Sequence, residues 1–346
     1  MDVTARHNAA YRRLRQELEA AGLFEPDSRG YLLHCAWVIP AYGLCWWLLL
    51  EVQDTPARLL LALFTGFVMM QGAALGHEAG HGAVSRRRWL NRLTGLAFMS
   101  FGSGSSQASW EAMHGGHHRH ANTAADPNLR SQFFSFTEAD ARAATGLRRF
   151  FTRHQPLLFW PLVTLMGVSF RFSSLNHMRA RPRETRFEQA LVLLHHLLWL
   201  ALPVYLIGWA PALANYLLVL WACGIYLAVI FLTNHLGRST PAGGASFLAR
   251  QAGNARNLKD SWLSRRFFVG LNSHIEHHLF HRISFTRLHA ARAATRRACD
   301  AEGVPYHETG FWAALREIQD LNRRMAGLAA SAETNGYLLK VANQED

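Results

Sequence analysis

LLLALFTGFVMMQGAALGHEAGH, residues 59–81, decides the fold. Its apolar part belongs to a run from about Ala57 to Gly76, close to the roughly 20 residues a helix needs to cross a bilayer. The run ends directly on His77-Glu-Ala-Gly-His81. On a helix, positions i and i+4 share one face about one turn apart, so two imidazoles at this spacing can hold one metal ion. A spanning helix that ends on a ligand pair predicts an all-α membrane protein with a metal site just beyond the bilayer.

Outward from this stretch, Tyr31 to Leu50 is long enough to span and is joined to the first run by the acidic turn Glu51-Val-Gln-Asp-Thr-Pro56. Ala190 to Trp209 and Ala212 to Thr233 form a second hairpin through the uncharged turn Gly208-Trp-Ala-Pro211. Four crossings in two hairpins result. Lys and Arg favour the cytoplasmic side. The 51–56 turn has neither, whereas Arg86, Arg87 and Arg88 follow the second run. Both ends of each hairpin, and both chain termini, are therefore predicted to be cytoplasmic.

Trp89 to Phe101 is apolar but short and runs into the Gly/Ser cluster at 102–106, which predicts a partly buried or re-entrant helix that does not cross. Leu157 to Phe172 has arginines on both sides and is expected at the membrane interface. Tyr11, Leu14, Leu18 and Leu23 predict a short amphipathic helix over 5–22 on the cytoplasmic surface. The expected organisation is one domain, 1–346. Within it, a cytosolic amphipathic segment runs to residue 30, a stem with a cytosolic insert at 77–189 occupies 31–233, and a cytosolic helical cap occupies 234–346.

The formal net charge is +12, and half of the residues are hydrophobic. The arginines flank apolar segments, as at Arg148-Arg149, so the charge points to a lipid bilayer surface as partner. No nucleic-acid motif is present. Cys35, Cys45, Cys223 and Cys299 form no CxxC pair and imply no disulfide framework. Residues 1–30 are polar and do not read as a secretory signal.

The 19 histidines are clustered. His114-Gly-Gly-His117-His118 and His274-Ile-Glu-His277-His278 share the spacing HxxHH, which again puts three imidazoles on one helical face. At this histidine frequency one such match arises by chance in about 6 % of chains and two in well under 1 %. The repeat is therefore a signal. His235 stands at the end of the last span. By the topology above, all nine histidines fall on one side of the membrane, although only charge and length set that topology. His120 and His281 border the clusters and are expected to support them. His195 and His196, inside a span, are expected to bond between helices.

Eight or nine imidazoles exceed the three or four ligands of one zinc ion, so two ions are implied. Imidazole suits Zn, Cu, Fe and Ni, and ligand type alone does not choose. His77-Glu78-Ala-Gly-His81 also fits HExxH, where the glutamate is the general base of a zinc protease, here an intramembrane one. That reading leaves both HxxHH clusters unexplained. A non-enzymatic metal carrier is another alternative, and it predicts ligands lining a path between spans.

With these residues in view, the chain resembles the membrane fatty acid desaturase family. The likeness rests on the three histidine boxes in order, the context Gly76 to Gly82, the stretch Asn122 to Leu129 with Asp126-Pro127, His274 to Phe280, and the tail Gly303 to Tyr306 followed by Phe311-Trp312. It implies a four-helix stem and a cytosolic cap that holds a di-iron centre over an acyl tunnel. The implied ligands are His77, His81, His114, His117, His118, His274, His277 and His278, with His235 at the position of the family's extra ligand. No other residue is implied in the chemistry itself. Glu78, Glu111, Asp126 and Glu276 are candidates to orient the imidazoles.

The resemblance further implies O₂ as co-substrate, a fatty acyl substrate on lipid, CoA or carrier protein, and C=C bond formation; hydroxylation or acetylene formation on the same scaffold is the alternative. No His-Pro-Gly-Gly haem segment is present, so a separate electron donor of ferredoxin or cytochrome b5 type is expected. Two departures stand out. His274 occupies a position where relatives fused to cytochrome b5 usually carry Gln, and His281 one where relatives often carry Pro.

Overall fold

The computed structural model describes residues 2–123, 125–129, 131–238 and 244–342, with side chains to residue 331; residues 239–243 and 343–346 of the expected cap lie outside them. The first helix, α1, is Val3–Ala20. In α2, Ser28–Glu51, the Asp27 carboxylate caps the start by accepting the Gly30 N–H at 3.1 Å. In α3, Thr55–Gly80, Asp54 accepts the Ala57 N–H at 2.8 Å, and Pro56 sits in the first turn, where its missing N–H costs nothing. At 1.5 Å per residue, 24 and 26 residues reach about 36 and 39 Å, more than the hydrocarbon thickness of about 30 Å. The α3 helix continues one turn past the expected end of its span. His77 is thus helical, and His81 lies just beyond the last turn.

Next come α4, Arg88–Gly95, and a π-helical turn, Leu96–Gly102, packed along α3. The α5 helix, Gln107–His120, is capped by the Ser106 hydroxyl, which accepts the Ser109 N–H. Then follow α6, Glu138–Ala143, and α7, Gly146–Arg153. The apolar stretch expected at the interface is two helices, α8, Gln155–Val163, and α9, Met166–Ala180, bent by 64°. The third long apolar unit, residues 186–207, contains α10, Arg186–His196, a π-helical turn, Leu197–Ala201, and α11, Leu202–Ile207. Gly208, at φ +85°, makes the sharp turn into α12, Trp209–His235.

The remainder is α13, Phe247–Asn254; α14, Trp262–Phe267; α15, His274–Leu279; α16, Leu288–Ala301; and α17, Phe311–Ala342. Asn257–Leu258 and Glu308–Thr309 form a two-residue parallel strand pair, β1 and β2, the only strands among the described residues.

Among the described residues four helical units are long and apolar enough to cross a membrane, and the bent pair α8–α9 would make a fifth if it is one span. The α3 and α12 units are 56 % and 50 % buried in protein, against 22 % for each of the other two, so α3 and α12 form the axis of the stem. Both run on to the histidines. Beyond them, α1 buries Ala10, Leu14 and Leu18 in a core shared with α13, α15 and α16. The amphipathic stripe read from the sequence is thus buried in protein. A second core joins Phe134, Ala141 and Phe159 to Ile318, Leu321 and Met325 of α17. Arg256, fully buried, donates to the Thr233 and Leu236 carbonyls at 2.8 and 3.0 Å and to Glu317 at 2.6 Å. It satisfies carbonyls left open at the end of α12 and so fixes the helix end that carries His235.

Candidate metal centre

Four helices deliver nine imidazoles to one place. The α3 helix brings His77 and, just after its last turn, His81; α5 brings His114, His117 and His118; α12 ends on His235; α15 brings His274, His277 and His278. They form two groups, His77, His81, His114 and His277 in one and His117, His235, His274 and His278 in the other. Within each group the potential ligand atoms lie within 4.8 Å of one another. Each HxxHH motif feeds both groups: His114 and His117 of α5 part ways, as do His277 and His278 of α15. His118 stands between the groups, with Nε2 2.9 Å from His114 Nε2 and its ring stacked 4.3 Å from that of His278.

The fit of this nest to metal ions rests on its nitrogens. The Nε2 atoms of His114 and His81 lie 3.0 Å apart, those of His117 and His235 3.0 Å, and those of His274 and His235 2.6 Å. Bare nitrogens of neutral imidazoles repel one another at such separations, and a cation shared between them would relieve that repulsion. Both ring nitrogens of His277, and Nε2 of His278, are buried without a hydrogen-bond partner. Leaving such groups unpaired is costly, and a cation that takes the one lone pair of each neutral ring lowers that cost. Burial, and then the neighbouring imidazoles, hold His114, His118, His274, His277 and His278 well below the ordinary histidine range. They are therefore neutral at pH 7, the state a metal ligand requires.

The surrounding bonds set the tautomers. His117 donates Nδ1–H to Asp126 at 3.0 Å, His278 donates to Gln251 Oε1 at 2.9 Å, and His235 donates to the Asn254 carbonyl at 3.0 Å. Each leaves Nε2 bare toward its group. Asp126 also accepts the backbone N–H groups of Asn122 and Asn128, both at 2.9 Å. Burial pulls its pKa up, but the His117 bond and these two N–H groups outweigh that and hold it below the usual carboxylate range. Asn122, at φ +56°, a conformation Asn tolerates, donates its side-chain amide to the carbonyls of His235 and Asn254 at 3.0 Å each. Gln251 donates in turn to the His118 carbonyl at 2.8 Å.

The four carboxylates named from the sequence divide. Asp126 grips a ring. Glu78 lies 3.5 Å from His77 Nδ1 while accepting from Tyr31 Oη at 2.8 Å and the Phe285 N–H at 2.9 Å. Bound in this way, Glu78 is not free to act as the general base that a zinc-protease reading needs. Glu276 turns away from the imidazoles of its own helix and accepts from Asn257 at 2.8 Å and Tyr306 at 2.9 Å; burial raises its pKa. Glu111 accepts from Gln107 at 2.9 Å. Gln251, Asn254 and Asn122 were missed in the sequence, since an amide or a backbone carbonyl carries no spacing signature.

The histidines converge around one end of α3 and α12, not along a path between spans as a carrier would require. An apolar cavity opens on His77, His114, His117 and His274 and descends between α3, α9 and α12 past Met69, Ala73, Leu220 and Cys223. A second, rich in phenylalanine, reaches His117 and His235 from the side of α7, α8 and α9. His195 and His196 lie away from the nest and bond between helices as expected, His195 to the Phe101 carbonyl at 2.8 Å and His196 to the Tyr216 hydroxyl at 3.1 Å; His196 also donates to the Val192 carbonyl within α10.

Residues 54–310 match the family described as "Fatty acid desaturase". The chain is 27 % identical over 347 residues to a "Delta(8)-fatty-acid desaturase" of Helianthus annuus, covering 94 % of this chain and 74 % of that protein. It is 24 % identical over 313 residues to a "Delta(8)-fatty-acid desaturase" of Euglena gracilis, covering 86 % and 74 %. It is 25 % identical over 300 residues to an "Acyl-lipid (9-3)-desaturase" of Physcomitrium patens, covering 80 % and 55 %.

Proposed function

The chain belongs to the fatty acid desaturase family, and from that premise we propose that it uses O₂ and two iron ions held by its nine clustered histidines to place a C=C bond in a fatty acyl chain. The observation that carries this reading is the pair of four-histidine groups, side by side, with an apolar cavity opening onto both. When bound, the iron pair supplies the oxidising power to remove hydrogen from an unactivated methylene.

The chain's own residues do the rest. His77, His81, His114 and His277 would hold one ion and His117, His235, His274 and His278 the other, with His118 between them. Asp126, Gln251 and the Asn254 carbonyl fix ring directions, so that lone pairs and not N–H groups face inward. The apolar walls exclude water and hold one C–C bond near the histidines. Burial contributes about 0.8 kcal/mol per CH₂, which supplies affinity readily but separates neighbouring chain lengths only modestly. Electrons would come from a separate carrier protein, and the cap would face the cytoplasm.

Expression in a host with a defined lipid pool, followed by mass spectrometry of the acyl chains, tests the proposal. The expected product has lost two hydrogens. A product that has gained one oxygen would reassign the chain as a hydroxylase.

A further inference from the structure

We propose that His281, with the unpaired cations beside it, is the docking and entry point for an acidic one-electron carrier protein. This rests on the di-iron reading above and adds to it the place where electrons arrive.

Three observations carry it. First, His281 is solvent-exposed, yet its ring centroid lies 5.0 Å from that of His81 and 5.8 Å from that of His118. Among the described residues it is the exposed ring in contact with the nest; Trp110, which also touches His77, His81 and His114, is buried. Second, the nest is asymmetric. All four members of the His117 group are buried, whereas His77 and His81 of the other group are partly exposed. The thinnest cover is therefore on the His81 side, and His281 is what covers it. Third, Arg119 and Arg282, which neighbour His118 and His281 in the chain, are both exposed, and neither has an ion-pair partner among the described residues. An exposed, uncompensated cationic rim attracts an acidic partner and speeds its encounter. His281 lies outside both four-histidine groups, so it is placed to pass an electron and not to hold an ion.

Two transfers complete one turnover: R–CH₂–CH₂–R′ + O₂ + 2 e⁻ + 2 H⁺ → R–CH=CH–R′ + 2 H₂O. Each reduced carrier gives one electron and leaves oxidised. The substrate supplies the other two electrons with its two hydrogens, and the two protons come from solvent.

The experiment compares the iron-loaded full-length protein with its His281→Ala and Arg119→Glu/Arg282→Glu variants. Iron content is measured, as is the rate at which the centre is reduced by dithionite and by a reduced, acidic [2Fe–2S] ferredoxin at low and high salt. All three proteins should carry the same iron and react alike with dithionite. His281→Ala should slow reduction at saturating ferredoxin by on the order of tenfold. The charge reversal should raise the ferredoxin concentration for half-maximal rate by on the order of tenfold at low salt, with the difference vanishing at high salt. Unchanged ferredoxin rates in both variants, or a wild-type rate indifferent to salt, would overturn the proposal. Loss of iron from His281→Ala would do so too, by making His281 a ligand. Wild-type protein that binds no iron would instead remove the function proposed above, and this inference with it.

Discussion

Asp126 grips His117 from the outside, and that grip decides which nitrogen of the ring faces the nest. Replacing it by Asn leaves a weaker acceptor and permits the amide to turn a donor toward the ring. Asp126→Asn should lower iron affinity by about 10- to 100-fold, as measured by chelator competition. Glu276→Gln is the control: Glu276 is as buried as Asp126 and closer in sequence to the clustered histidines, but it bonds Asn257 and Tyr306. It should lower thermal stability and leave iron affinity near wild type; equal losses in both variants would contradict these roles.

A second consequence concerns pH. His114, His118, His274, His277 and His278 are held well below the ordinary value of 6.5, so the folded metal-free protein refuses protons that the unfolded chain accepts. Where the unfolded state binds more protons, stability rises with pH. The metal-free protein should therefore keep its full stability above about pH 6.5 and lose it as the pH falls below that value; a melting temperature that rises on acidification would contradict this. The clustering of the nine imidazoles was legible because helical periodicity ties spacing to direction. Asp126 was legible as a carboxylate near a box. Gln251 and the Asn254 carbonyl were not, because α13 meets the nest only through tertiary packing.

At the scale of elements, the four spans were legible by length and hydropathy, and of these α3 and α12 alone run on to the clustered histidines. The α8–α9 bend was not. Arginines at both ends of Leu157 to Phe172 read as a segment at the membrane interface, yet Arg171 turns inward and donates to Ser105 Oγ at 2.5 Å. The α9 helix lies against α12 through glycines: a Cβ on Gly224 would stand 1.9 Å from the Thr164 carbonyl oxygen, and one on Gly167 2.5 Å from that of Leu220. Small residues at such crossings let backbones approach. Gly224→Val should force α9 away from α12, destabilising the protein by at least the roughly 1–3 kcal/mol of overpacking. The expected result is a lower melting temperature and less folded protein in detergent; wild-type values would show that the crossing yields. The π-helical turn at Leu197–Ala201 leaves no trace in hydropathy and could not be read.

For the whole molecule, charge and span count placed all nine histidines at one end, and the structure brings them together there. The α1 helix packs on the same end, against α13 and α16. An accessibility tag in the 52–54 turn should accordingly be reached only from the non-cytoplasmic side, and tags at either terminus only from the cytoplasm. Labelling of the turn and a terminus from the same side would refute the two-hairpin topology. The docking of α1 was not legible, because an amphipathic stripe looks alike whether it meets lipid or protein.

Metal analysis of protein purified anaerobically with ferrous iron tests the central claim most directly. Two iron ions per chain are expected, with the content falling in both His117→Ala and His278→Ala. Zinc in place of iron, a single ion per chain, or unchanged iron in both variants would contradict it.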